Sequence, residues 1–270
     1  MSASASSLVQ LSNVRIDRSG RTILRDVSLQ VPQGSITAVL GPSGSGKSTL
    51  LAALTGELRP VAGEVTLFGK PIPHDSGALL EMRKSVGVLL QGNGLLTDLT
   101  VAENVALPLR THTRLPAAVL RRLVQMKLHA VGLLAAADAW PRELSGGMAR
   151  RVALARSIAL DPQLIMYDEP FAGLDPISMG VTANLIRNLN DALGSTTILV
   201  SHDVKESFMI ADYVYFLSQG KIVAHGTPAD MMVSTDPYVK QFVHAEADGP
   251  VPFHYPGKSL AEDLGLGARK

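Results

Sequence analysis

Gly41-Pro42-Ser43-Gly44-Ser45-Gly46-Lys47-Ser48-Thr49 carries the pattern G-x-x-x-x-G-K-[ST]. Gly44 and Gly46 let the backbone curl so that several N–H groups aim at one anion. Lys47 brings a mobile positive charge to the outer phosphates of a polyphosphate, and the Ser48 hydroxyl is a ligand for Mg²⁺. A second chemical group is Asp168-Glu169, which follows the apolar run Leu164-Ile165-Met166-Tyr167. There Asp168 is placed to hold Mg²⁺ through its waters, and Glu169 to orient and deprotonate an attacking water. Ser145-Gly146-Gly147 opens a helix and offers free N–H groups without an obstructing Cβ, which makes a second anion site. His202 follows another apolar run and is placed to hydrogen-bond a terminal phosphate. Gln91 ends a short run, where it can touch the metal or the water. Two phosphate-binding helix ends in one chain are explained if two copies enclose one terminal phosphate between them.

These residues need strands that stop where the chemistry begins. Ser35 to Leu40 is β-branched and uncharged, and predicts a buried strand delivering the phosphate loop. Lys47 to Thr55 predicts a helix whose N-terminal dipole faces that loop. Leu8 to Ile16 and Val27 to Val31 read as strands joined by a turn at Ser19-Gly20, and Gly63 to Gly69 as another strand. Residues 70–85 read as loop and a short helix, and Val86 to Leu90 as a buried strand. From Gly92 the periodicity becomes helical, with apolar residues at Leu120, Leu123, Val124, Met126, Leu128 and Val131. Gly146 to Ala159, Ile177 to Leu193 and Val204 to Ile210 are further helices. Thr196 to Val200 is a strand, and Tyr213 to Leu217 with Lys221 to Ala224 a hairpin. The alternation predicts an α/β fold with a mostly parallel core sheet. It divides into residues 1–7, a flexible start; 8–91, a nucleotide-binding core with an antiparallel β subdomain; 92–160, an inserted helical subdomain; 161–245, the rest of the core; and 246–270, an extension.

Composition narrows the function classes. The chain has 270 residues, 46% hydrophobic, enough for a substantial core. Charged residues make up 18%, against roughly 25% in an average domain, so part of the surface is expected to lie under a partner. The formal net charge of +1 argues against a dedicated nucleic-acid binder. Arg121 and Arg122 read as a solvated helix face. With no cysteine, disulfides and thiolate metal sites are excluded. Met1 to Ser7 lacks a basic region and an apolar region, so no export signal is expected. No run is long and apolar enough to span a bilayer.

In order along the chain, the phosphate loop, Gln91, the Leu144-Ser145-Gly146-Gly147 signature, the acidic strand end, Ala172-Gly173-Leu174-Asp175 and His202 resemble the ATP-binding-cassette (ABC) ATPase family. The resemblance covers residues 8–245 and implies a P-loop NTPase fold of the ABC nucleotide-binding type, with ATP and Mg²⁺ as ligands. It implies a head-to-tail homodimer. Lys47, Ser48 and Thr49 of one copy and Ser145, Gly146 and Gly147 of the other then enclose one ATP, with Asp175 at the junction. Members of this family usually stack adenine on an aromatic near the end of the first strand. That position corresponds to Ile16 here, which offers an apolar face without a π system.

Leu144 to Arg151, Asp168 to Gly180, Thr97 to Val101 and especially Asp248-Gly249-Pro250-Val251-Pro252-Phe253 are similar to the ATPase subunits of the Mla (maintenance of lipid asymmetry) phospholipid transporters of Gram-negative bacteria. This resemblance implies a place on the cytoplasmic face of the inner membrane. It implies an integral-membrane permease (MlaE-like), a STAS-domain protein (MlaB-like) and a periplasmic lipid-binding MCE ring (MlaD-like). The cargo rests on the resemblance alone. An amino acid or organic toxicant as cargo, or a non-transport ABC protein, stays open from sequence. Val251, Phe253 and Tyr255 alternate between prolines, which predicts an extended arm docking on the second copy.

Overall fold

A computed structural model describes residues 7–251 of the chain. Its elements run β1 (Ser7–Arg18), β2 (Arg21–Pro32), β3 (Ile36–Leu40), α1 (Lys47–Leu54), β4 (Ala62–Leu67), β5 (Lys70–Pro71), α2 (Ser76–Lys84) and β6 (Val86–Leu89). There follow α3 (Val101–His112), α4 (Ala117–Ala130), α5 (Gly146–Ser157), β7 (Leu164–Asp168), α6 (Pro176–Leu193) and β8 (Thr196–Ser201). The described part closes with α7 (Val204–Ile210), β9 (Tyr213–Ser218), β10 (Lys221–Gly226), α8 (Pro228–Met232) and α9 (Pro237–His244).

A six-stranded sheet in the order β10-β9-β3-β8-β7-β6 forms the centre. All its neighbours pair in parallel except the β9–β10 hairpin at one edge. Successive side chains of a strand point to opposite faces, and the burial follows that period of two. Ala38, Ile165, Tyr167, Leu199 and Phe216 pack with α3 to α6 on one face. Val39, Leu164, Met166, Ile198 and Leu217 pack on the other with α1 and the second sheet. That second sheet is antiparallel in the order β2-β1-β4-β5. The long ribbon of β1 and β2 reverses at Ser19-Gly20, both with positive φ, as a tight hairpin turn requires.

Between β6 and β7 the chain is helical, as its periodicity predicts. Thr100 starts α3 with a reciprocal cap. Its hydroxyl accepts from the Glu103 N–H at 3.3 Å, and the Glu103 carboxylate accepts from the Thr100 N–H at 2.9 Å. Asn104, fully buried, shapes the loop before this helix. Its Oδ1 accepts from the Leu96 N–H at 2.9 Å, and its Nδ2 donates to the carbonyls of Leu96, Leu99 and Thr100 at 3.0–3.1 Å.

Helix α5 is the hub of this region. Ser145 caps it by accepting from the Met148 N–H at 3.3 Å. Arg151 donates to the Val131 carbonyl at the end of α4, at 3.2 Å. Arg156 donates to the carbonyls of Asn93 (2.9 Å) and Gly94 (2.7 Å), just past Gln91. Lys127 of α4, itself buried, is paired with Asp161 at the entry to β7. The Phe253 and Tyr255 of the expected arm lie outside the described residues. At its root the Gln241 side chain of α9 accepts from the Val251 N–H at 2.8 Å and donates to its carbonyl at 3.2 Å.

Candidate functional site

Strands β3, β7 and β8 are adjacent and parallel, so their carboxyl ends deliver the phosphate loop, Asp168-Glu169 and His202 to one edge of the sheet. Ligands bind outside such strand ends in open α/β sheets. The loop from Gly41 to Gly46 turns there into α1, and Gly44 and Gly46 both hold positive φ, at 79° and 110°. A side chain at either would be strained, and at 46 its Cβ would also meet Leu24 at 2.7 Å.

Lys47 is 6% exposed. Its ammonium donates to the carbonyls of Gly41 (2.8 Å) and Pro42 (3.2 Å) and lies 3.3 Å from Glu169 Oε1. Glu169 is also buried. Its Oε2 meets His202 Nδ1 at 2.8 Å and accepts from the His202 N–H and the Ser201 hydroxyl, both at 3.3 Å. Its backbone sits in the left-handed region at φ 49°. A non-glycine residue held there stores strain of the kind that gathers at working sites. Glu169 is thus a carboxylate with one oxygen bridged to the phosphate-loop lysine and the other to a histidine whose ring is half exposed.

Asp168 is the candidate metal residue. Burial raises its pKa above the ordinary carboxylate value, and the neighbouring Glu169 charge adds to this. The Ser48 hydrogen bond and the Lys47 charge oppose the rise. Its Oδ1 is buried with no hydrogen-bond partner among the described residues. An orphaned acceptor beside a serine hydroxyl fits a hydrated divalent cation, which the hard oxygen donors Ser48 and Asp168 would hold.

A cavity of about 430 Å³ opens over the loop. Its walls are the phosphate-loop residues 43, 44 and 46–49 together with Arg18, Ile23, Gln91 and Glu169. The structure therefore brings Gly44, Gly46, Lys47, Ser48, Thr49, Gln91 and Glu169 together, with Asp168 and His202 touching the same network. It does not bring Ser145, Gly146, Gly147 or Asp175 to this cavity within one chain. Ser145 caps α5, and Asp175 caps α6 by accepting from the N–H groups of Ile177 and Ser178, each at 3.0 Å. Gly146 faces open space, and Gly147 lies against Ser178, which also donates to Asp175 at 2.5 Å.

One expected contact is corrected. Ile16 is fully buried in the core between the sheets and cannot offer a face to a base. Ile16 and Arg18 would share a face in a regular strand, but the β1–β2 register shifts between Ile16 and Asp17, which leaves Ile16 inside and Arg18 exposed. The hairpin folds over the phosphate loop, so Arg18 and Ile23 line the cavity instead. Arg15 is tied to Asp17 at 2.9 Å, so Arg18 is the guanidinium left to meet a ligand. Its signal was its place directly before the Ser19-Gly20 turn, where a strand end must project.

Comparison with known proteins agrees with this geometry. The family model described as "ABC transporter" matches residues 24–172. The chain is 51% identical over 265 residues to the intermembrane phospholipid transport system ATP-binding protein MlaF of Escherichia coli K12, covering 98% of each chain. It is 50% identical over 258 residues to the Haemophilus influenzae protein of the same name, covering 95% of this chain and 98% of that one. Among solved structures, cbiO1 from Clostridium perfringens, part of an ABC transporter complex, superposes with a TM-score of 0.80 at 27% identity. That match covers 89% of this chain and 96% of the other. The ATP-binding cassette MJ0796, a dimer in a post-hydrolysis state bound to ADP and Pi, superposes with a TM-score of 0.75 at 30% identity, covering 82% and 98%. With the phosphate loop, the acidic strand end and the histidine assembled at one sheet edge, the chain belongs to the ABC transporter family, as one of its ATPase subunits.

Proposed function

We propose that this chain is the ATP-hydrolysing motor of a phospholipid transporter that moves lipid between two membranes. The observation that carries the enzymatic half is the Lys47–Glu169–His202 network at the sheet edge. The cargo half rests on the likeness, over nearly the whole chain, to ATP-binding proteins of intermembrane phospholipid transport.

In this reading Lys47 leaves its loop carbonyls for the β- and γ-phosphates, while the N–H groups of residues 44–49 cradle them. Ser48 and Asp168, with Gln91 nearby, would hold Mg²⁺, which would supply charge neutralisation for the transferring phosphoryl group. Glu169 accepts a proton from the attacking water. His202 steadies the γ-phosphate through its exposed ring edge, its Nδ1 being held by Glu169. Ser145, Gly146 and Gly147 of a second copy close the site from the other side, and Asp175 lies near that junction. Residues 92–160 act as one helical piece against a core made of 8–91 and 161–245.

The motor sits peripherally on the cytoplasmic face of the inner membrane. No helix among the described residues is long and apolar enough to cross a membrane, so a permease of the MlaE type must carry the lipid path. A STAS-domain protein and a lipid-binding ring complete the assembly, and no nucleic acid is involved. The extension 246–270 docks on the second copy, and deleting 247–270 should weaken pull-down of permease and partner while ATP binding persists. The deciding experiment is purification of the chain with its membrane partners, followed by ATPase assays in nanodiscs of defined phospholipid. Lipid-dependent turnover and lipid transfer between vesicles are expected. Turnover indifferent to lipid yet stimulated by an amino acid or organic toxicant would replace the cargo assignment.

A further inference from the structure

Arg150 is 4% exposed, lies one turn beyond Gly147 on α5, and is incompletely bonded. Its Nη2 donates to the Ala172 carbonyl at 3.1 Å. Its Nε and Nη1 are buried with no acceptor among the described residues. No carboxylate pairs with it there, and desolvation alone lowers its pKa. Its neighbour on the same helix, Arg156, spends two nitrogens on two carbonyls, so the deficit belongs to Arg150 and not to α5. A buried, unpaired guanidinium with two idle donors is costly. An apolar side chain of similar length would suit a purely structural role better.

The position suggests what the cost serves. Ala172 is one turn after Glu169, and its N–H donates to the Glu169 carbonyl at 3.3 Å. Gly147, meanwhile, packs against Ser178, which bonds Asp175. Arg150 therefore ties the start of α5 to the segment 172–178, with Gly147 close beside Ser178, and the segment runs directly into the water-activating carboxylate. In the dimer proposed above, on which this inference rests, the start of α5 faces the partner's nucleotide while Glu169 faces its own.

We propose that Arg150 is a positioning residue that couples the two ATP sites. When the start of α5 engages phosphate at one site, Arg150 draws the 172–175 loop toward α5. The carbonyls of that loop satisfy its idle donors, and Glu169 is set in place at the other site.

The test uses the full-length chain in its membrane complex, with Arg150→Met and Arg150→Lys. Arg150→Met is expected to melt at or above the wild-type temperature and to bind ATP with unchanged Kd. Its kcat should fall about tenfold or more, and the Hill coefficient for ATP should drop toward unity. Arg150→Lys, which keeps charge and reach, should recover part of kcat and of the cooperativity. A lower melting temperature with unchanged kcat would make Arg150 a packing residue and overturn the proposal. A weakened Kd would place its effect in the phosphate site and overturn it as well. Light scattering of Glu169→Gln with ATP checks the dimer separately. Absence of an ATP-bound dimer there sinks the dimeric reading and this inference together. A normal dimer with wild-type turnover and cooperativity in Arg150→Met sinks this inference alone.

Discussion

Replacing Glu169 by Gln separates binding from chemistry, and the network around it sets the size of each effect. The amide keeps an oxygen for the His202 N–H and the Ser201 hydroxyl, both at 3.3 Å, so the pocket keeps its shape. It loses the base. General-base assistance is worth about 10²–10⁴-fold, so kcat should fall by that factor. It also loses the charge that holds Lys47 at 3.3 Å. Screened attraction at that separation is about 5 kcal/mol at an effective dielectric of ~20. Desolvation of two nearly buried groups offsets most of it, leaving on the order of 1 kcal/mol. Freed from that competitor, Lys47 should bind ATP roughly fivefold more tightly. Single-turnover phosphate release gives the first quantity, and equilibrium binding of a fluorescent ATP analogue the second. Near-normal phosphate release would remove Glu169 from the chemistry. Slow release with weakened ATP binding would show that the Lys47–Glu169 contact assists the nucleotide site instead of competing with it.

Lys47→Ala should raise the Kd for ATP by about tenfold or more, because the cradle loses its mobile charge; an unchanged Kd would mean the loop is not the phosphate site. Asp168→Asn should abolish Mg²⁺-dependent turnover without destabilising the fold at neutral pH. The folded-state pKa of Asp168 is raised, so its stability contribution is full below the ordinary aspartate pKa and is lost as pH rises through the raised value. The Asn variant should therefore melt at or above wild type at neutral pH, an advantage that shrinks on acidification; a variant less stable than wild type at neutral pH refutes this. Arg18→Tyr should shift preference toward ATP over GTP in competition binding, since stacking on an aromatic is worth roughly 1–3 kcal/mol in nucleic-acid systems. An unchanged ratio would show that the base does not reach Arg18.

Much of this site is local in the chain, and that part was legible. The phosphate loop, the acidic strand end and His202 each sit where an apolar run stops, so their placement follows from the strands alone. What could not be read was set by contacts distant in sequence. The β1–β2 ribbon folds over α1 and puts Arg18 instead of Ile16 on the cavity wall, a consequence of the register shift near the hairpin turn plus sheet packing. The ion pair between Lys47 at the start of α1 and Glu169 just past β7 joins residues far apart in sequence, and no spacing rule announces it. Arg150 carries no signal in the sequence, and its burial alone singles it out.

The loop after Gln91 is held at both ends: Arg156 grips the carbonyls of Asn93 and Gly94, and Asn104 grips those of Leu96, Leu99 and Thr100. Mechanically it is a short beam pinned to two helices, with little compliance along its length. The freedom that remains lies just upstream, at Gly92, whose φ of 77° no side chain would easily share. A displacement of Gln91 is therefore not absorbed by slack. Under the proposed function it would turn about Gly92 and arrive at α3 and α5 as torque, so the stiffness of this loop would decide how much of a movement at the phosphates reaches the far side of the subunit.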